Sequence, residues 1–200
     1  MNFYIFIVIS LTRSLSNAIL FKFQPLNEEN SEVFNDQAST YVNNMFYDNK
    51  YNDGGMVFNK FKGLMQIFRA MHDLDENQMN LLFISEVGNR DELMTLDQFS
   101  KQILVVAKII ERKLHTIYRN NLNRSTRKMT ISELMAALNE LQMGVGRIDA
   151  ARLIGDERAN SRDISFPNFR NMVAVLYYRE VDDVLIELRN ADGFEFVFRS

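Results

Sequence analysis

Apolar residues in this chain return at helical spacing around a recurring triplet. Met56, Phe58 and Phe61 form the first triplet, and Met94, Leu96 and Phe99 the second. Met129, Ile131 and Leu134 form the third, and Ile164, Phe166 and Phe169 the fourth. The first positions recur at intervals of 38, 35 and 35 residues, which marks one supersecondary unit used four times. Apolar runs flank the triplets in steps of three and four: Met79, Leu82 and Phe83 precede the second, and Ala137, Leu138 and Leu141 follow the third. That is the helical period, not the strand period. Directly after each first position stands Val57, Thr95, Thr130 or Ser165, and three of these four are good helix N-caps. Thr95 with Gln98 and Thr130 with Glu133 read as capping boxes, and Pro167 suits the first turn of a helix. Each unit is therefore a helix, a polar loop with a short extended piece, and a second helix. The extended pieces are expected to pair as short strands that tie the units together in twos.

This arrangement resembles the EF-hand superfamily in its four-repeat, calmodulin-like or sarcoplasmic calcium-binding-protein-like form. Matching the family's apolar position 8 and closing position 12 places loops at Asn49–Lys60, Val87–Gln98, Leu122–Glu133 and Glu157–Asn168. The resemblance covers residues 32 to 178. It implies an all-α fold of two helix-loop-helix pairs packed compactly, with short paired strands between the loops. It does not carry the family's ion with it. Calcium needs oxygens at positions 1, 3, 5 and 12 and a sharp glycine turn at 6. Loops one, two and four close on Lys60, Gln98 and Asn168, so the bidentate carboxylate is missing. Loop three keeps Glu133 but sets Leu122, Arg124, Arg127 and Lys128 around it, and cations repel a cation. The loops are thus degenerate, no cofactor is expected, and tight calcium binding is not expected. The weak metal candidates are Asp48, Asn52 and Asp53, beside the Gly54-Gly55 turn.

The pattern divides the chain into a lead-in over 19–32, a first lobe over 33–110, a second over 111–178 and a tail over 179–200 that is expected to pack. Between Gln98 and Asn120 there is neither glycine nor proline, so one continuous helix is expected to join the lobes. Residues 1–18 read as a signal peptide: Phe3 to Ile9 is an apolar run too short for a bilayer, which needs about 20 residues. Ser16-Asn17-Ala18 then offers a small-x-small processing site. A secreted or secretory-lumen protein follows, with Asn123-Arg124-Ser125 as its glycosylation acceptor at Asn123.

Composition narrows the chemistry. The chain has no cysteine, which removes disulfides, thiol catalysis and thiolate metal sites. Its two histidines, His72 and His115, are far apart in sequence. Adjacent carboxylates such as Asp182-Asp183 point apart, and no nucleophile and base pair is suggested. The formal charge of −3 gives no global attraction to nucleic acid. A basic segment, Arg119, Arg124, Arg127 and Lys128, is a candidate patch for an anion or an acidic partner. The expected function is a non-catalytic interaction or structural protein with an unknown protein or peptide partner, no nucleic acid and no stable membrane insertion. The alternatives are a calcium binder or sensor with one weak or unconventional site and a carrier of a small apolar ligand.

Overall fold

The computed structural model describes residues 24–27, 32–51, 54–157 and 159–177. The expected signal peptide 1–18, the tail 179–200 and most of the lead-in lie outside the described residues, as do Asn52 and Asp53. The described residues form eight helices: α1 Asp36–Asn49, α2 Phe58–Ile67, α3 Arg69–His72, α4 Glu76–Val87, α5 Leu96–Asn120, α6 Ile131–Glu140, α7 Arg147–Asp156 and α8 over 166–177.

Local chemistry sets the helix starts. Asn35 caps α1 by accepting from Ala38 N–H at 2.8 Å. The boxes expected at Thr95/Gln98 and Thr130/Glu133 open α5 and α6, and a third, Asp75 with Gln78, opens α4. Each cap satisfies amide protons that a helix start leaves orphaned. The first triplet positions, Met56, Met94, Met129 and Ile164, are fully buried, as are the last ones, Phe61, Phe99, Leu134 and Phe169. The middle position is buried only at Phe58; Leu96, Ile131 and Phe166 are half-buried.

Helix α5 runs unbroken for 25 residues, and the division expected between 110 and 111 falls inside it. Its buried residues are Phe99, Gln102, Ile103, Val106, Ala107, Ile110, Leu114 and Ile117, a stripe in steps of three and four. Helices α1, α3, α4 and α6 pack on it, and α8 reaches it through Tyr118, whose ring lies 5.6 Å from Phe169. In the first half, Phe83 stacks edge-on against Phe58 at 5.3 Å and lies tilted against Phe61 at 5.6 Å. One hydrophobic cluster continues through both halves.

The expected paired strands are corrected by this structure, because no strand forms among the described residues. Loops one and two meet at a single bridge, where Met56 and Met94 exchange two backbone hydrogen bonds of 2.9 Å. Loops three and four meet through Ile164 N–H donating to Met129 O at 2.8 Å. The reason is local. Val57 and Thr95, which follow the bridging methionines, are already N-caps, with α2 and α5 starting one residue later. A helix start takes the backbone groups that a second ladder step would need. Gly55 allows the approach: a Cβ there would lie 2.6 Å from Met94 O.

Two buried polar groups stand out. His72 is 3% exposed. Its Nδ1 accepts from Leu74 N–H at 2.8 Å, so the proton sits on Nε2, which donates to Met65 O at 2.8 Å. Burial holds its pKa below the ordinary 6.5. Arg170, 2% exposed, donates from Nε to Glu111 Oε1 at 2.7 Å and joins α8 to the middle of α5. Burial pushes Glu111 up and Arg170 down, each opposed by the other's charge.

Replacing Phe61, Phe99 or Phe169 by alanine is expected to cost about 3–5 kcal/mol, and Leu134 about 2–5 kcal/mol, because each fills a closed space; denaturant melts measure this. Three or more losses below about 1 kcal/mol would refute the four-fold equivalence. His72 gives a pH signature. Its folded pKa is depressed, so its contribution is complete above the unfolded value of about 6.5 and declines as pH falls below it. The melting-temperature gap between wild type and His72→Gln should therefore narrow between about pH 7.5 and 5.5. A constant gap would contradict a neutral, buried imidazole.

Candidate functional site

The four loops are where the resemblance would place an ion, and their polar atoms bond to one another. In loop two, Asn89 Oδ1 accepts from the amides of Asp91 and Glu92 at 2.8 and 3.2 Å. The closing residue Gln98 accepts from Thr95 N–H at 2.8 Å through Oε1. Its Nε2 donates to Glu86 O at 2.7 Å, which ties the start of α5 to the end of α4 across the loop. In loop three, Asn123 Oδ1 accepts from the amides of Ser125 and Thr126, each at 3.1 Å. Asn123 Nδ2 donates to Glu133 Oε1 at 3.2 Å. Glu133 also accepts from Thr130 N–H and from its hydroxyl. The Thr130 hydroxyl bond, with Asn123 behind it, holds the Glu133 carboxyl below its usual range. In loop four, Asn160 Oδ1 accepts from Arg162 N–H at 3.0 Å, and the closing Asn168 donates to Glu157 O at 3.4 Å.

The amide side chains thus do two jobs that an ion's coordination shell would do. Oδ1 gathers the turn's N–H groups, and the NH₂ bridges the closing position to the far side of the loop. An oxygen engaged by amide protons is a poor further ligand, and calcium takes six to eight oxygens. No group of three or more His, Asp or Glu side chains among the described residues could hold a metal ion. Of the weak metal candidates, only Asp48 is among the described residues, half-buried near the end of α1.

The basic segment is less concentrated than its sequence. Lys128 pairs with Asp163 of loop four at 3.2 Å. Arg119 lies in the last turn of α5, and Arg124 and Arg127 are exposed on the loop. Asn123, the sequon asparagine, is half-buried, and its Nδ2 is the donor to Glu133.

A second feature lies where the halves meet. A groove of about 690 Å³ is bounded by α3, the middle of α5 and the end of α6, a volume within the range of ligand sites. Ile109, Ile117 and Leu141 supply its apolar surface. Asp73, Arg112, Lys113, Glu140 and Gln142 supply its polar rim. Lys113 Nζ is held by Asp73 at 2.5 Å and by Ala70 O at 3.2 Å. Glu140 accepts from Asn121 Nδ2 at 2.7 Å.

Comparison with protein-family models, curated proteins and solved structures finds no match. The family resemblance therefore stays with the triplets, caps and loop spacing that carry it.

Backbone strain marks the same groove. Asp73 and Gln142, with φ of 57° and 61°, are two of the three non-glycine residues with positive φ among the described residues. Both end helices: Asp73 N–H donates to Arg69 O at 2.9 Å, and Gln142 N–H to Asn139 O at 2.9 Å. Glycine is the usual residue at such a turn, and a side chain there costs about 1–2 kcal/mol. The groove, the Arg170–Glu111 pair and the amide closures were not read from the sequence. A signal existed for Arg170, which occupies the row of Phe166, Val173 and Tyr177 on α8. None existed for the groove, whose walls are about 70 residues apart.

Gln98→Ala removes two hydrogen bonds and is expected to cost about 1–2 kcal/mol. Gln98→Glu keeps the acceptor for Thr95 but loses the donor to Glu86 O, so it should also destabilise, by about 1 kcal/mol, and calcium should not restore the loss. Urea melts with calcium or a chelator test this; a Gln98→Glu protein more stable than wild type would overturn the closure.

Proposed function

We propose that this chain is a non-catalytic, secreted interaction protein built on a degenerate EF-hand scaffold whose shape does not depend on calcium. The observation that carries the reading is the bond from Gln98 Nε2 to Glu86 O: a neutral amide spans the loop at the position where the family would bring a carboxylate to the ion. Asn168 in loop four and Asn123 with Glu133 in loop three support it in the same way. With no cation to supply the free energy that opens a sensor lobe, recognition depends on a fixed surface. Secretion rests on the apolar run Phe3 to Ile9. No helix among the described residues is long and apolar enough to cross a membrane.

A second reading, a small-ligand carrier, is favoured by the groove beside α5. Its charged rim points to a partly polar ligand rather than a purely apolar one.

Calcium decides between the scaffold and a sensor. Calorimetric titration of chelator-stripped protein is expected to be flat to about 1 mM calcium, with the same melting temperature with and without the ion. A dissociation constant below about 10 µM, the range of sensor sites, would overturn the scaffold reading. So would a rise above about 5 °C with calcium but not magnesium.

A further inference from the structure

We propose that closure of loop three and N-glycosylation at Asn123 exclude one another, so that Asn123 is a structural amide and not a sugar carrier, an inference that rests on the secretory reading. Asn123-Arg124-Ser125 satisfies the acceptor pattern. The transfer makes its own demands on those residues. Nδ2 attacks the anomeric carbon of a sugar carried on a lipid diphosphate. A C–N bond forms, the bond from that carbon to the diphosphate oxygen breaks, the lipid diphosphate leaves and one amide proton is lost. An amide nitrogen attacks only when its lone pair is turned out of conjugation with the carbonyl, so the amide must be free to twist. The hydroxyl two residues on must be free as well, since it completes the acceptor pattern.

In the folded loop neither condition holds. Asn123 is half-buried, and its Nδ2 donates to Glu133 Oε1 at 3.2 Å. On its other edge Oδ1 accepts from Ser125 N–H, the Ser125 hydroxyl and Thr126 N–H, each at 3.1 Å. Both ends of the amide are thus held, and the hydroxyl of the acceptor pattern is one of the groups that hold it. Glu133 is fixed in turn as the capping-box residue of α6, accepting from Thr130 N–H at 3.0 Å. A sugar on Nδ2 sets a ring beside this contact, and the loop must open to admit it. Loop four supplies the contrast. Asn160 makes a similar turn, its Oδ1 accepting from Arg162 N–H at 3.0 Å. Asn160 is exposed, and its Nδ2 makes no hydrogen bond among the described residues. Two neighbouring loops therefore hold one engaged amide nitrogen and one free one.

The test expresses the chain in glycosylating cells, once with its own residues 1–18 and once with a proven secretory leader in their place. Intact mass before and after peptide N-glycosidase reads the sugar. Secreted wild-type protein is expected to be bare. Arg162→Thr, which completes an acceptor pattern at Asn160, is expected to gain one sugar chain there, and Glu133→Ala is expected to gain sugar at Asn123. Asn123→Asp keeps the acceptor for the turn and loses the donor to Glu133, so in chelator it should melt about 2–4 °C below wild type. Sugar on Asn123 in most folded wild-type molecules would overturn the inference. So would a bare Asn160 in Arg162→Thr, because engagement of Nδ2 would then not separate the two sites. A bare Asn123 in Glu133→Ala, or an unchanged melting temperature in Asn123→Asp, would overturn the part given to Glu133. Cytosolic retention with the chain's own leader alone would overturn the secretory reading, and the replaced leader still decides the fate of Asn123.

Discussion

The apolar stripe on α5 must be covered along its whole length, and the architecture follows from how it is covered. A 25-residue helix with eight buried positions exposes too much apolar surface to stand in water between two separate lobes. Helices from both halves close over it: α1, α3 and α4 from one side of the sequence, and α6 and α8 from the other. The units therefore share one core rather than keeping one each. Arg170 shows how tightly this holds. Its guanidinium is taken into the interior to reach Glu111, a burial that returns little net stability by itself. It does fix α8 to one position along α5, because either charge alone there would be expensive.

With that core in place, the loops need only be closed at their ends. A loop between two helices leaves amide protons and carbonyls that water or protein must satisfy. An ion-binding loop turns its oxygens inward and lets the cation hold them together. Here Asn89, Asn123 and Asn160 turn one oxygen toward the loop's own N–H groups, and Gln98, Asn123 and Asn168 bridge with their NH₂. Neutral amides supply both donor and acceptor in one side chain, so closure needs no charge balance. The Met56–Met94 bridge can then remain one residue long, because the core and the caps, not a ladder, hold the loops together.

The same economy does not extend to the groove. Asp73 and Gln142 carry conformational strain that glycine would remove, and both line the groove beside α5. Close packing fills the interior elsewhere with methionine and phenylalanine.

The four triplets, the helix starts at Thr95 and Thr130 and the unbroken course of α5 could all be read from the residues alone. They depend on neighbours within a few positions: helical periodicity, side chains that cap their own backbone, and the absence of glycine and proline. The sequence by itself also carried Phe61, Phe99, Leu134 and Phe169 to the core, since each falls on an apolar stripe. It misjudged the extended pieces, because apolar alternation looks the same for one bridging residue as for a strand, and only the crowding of helix starts at Val57 and Thr95 decides. What tertiary structure alone settled is everything that joins distant residues: Arg170 to Glu111, Lys128 to Asp163, and the walls of the groove. Such pairs depend on where the apolar stripes bring two helices together in space, and no local pattern encodes the distance between groups about 35 to 70 residues apart.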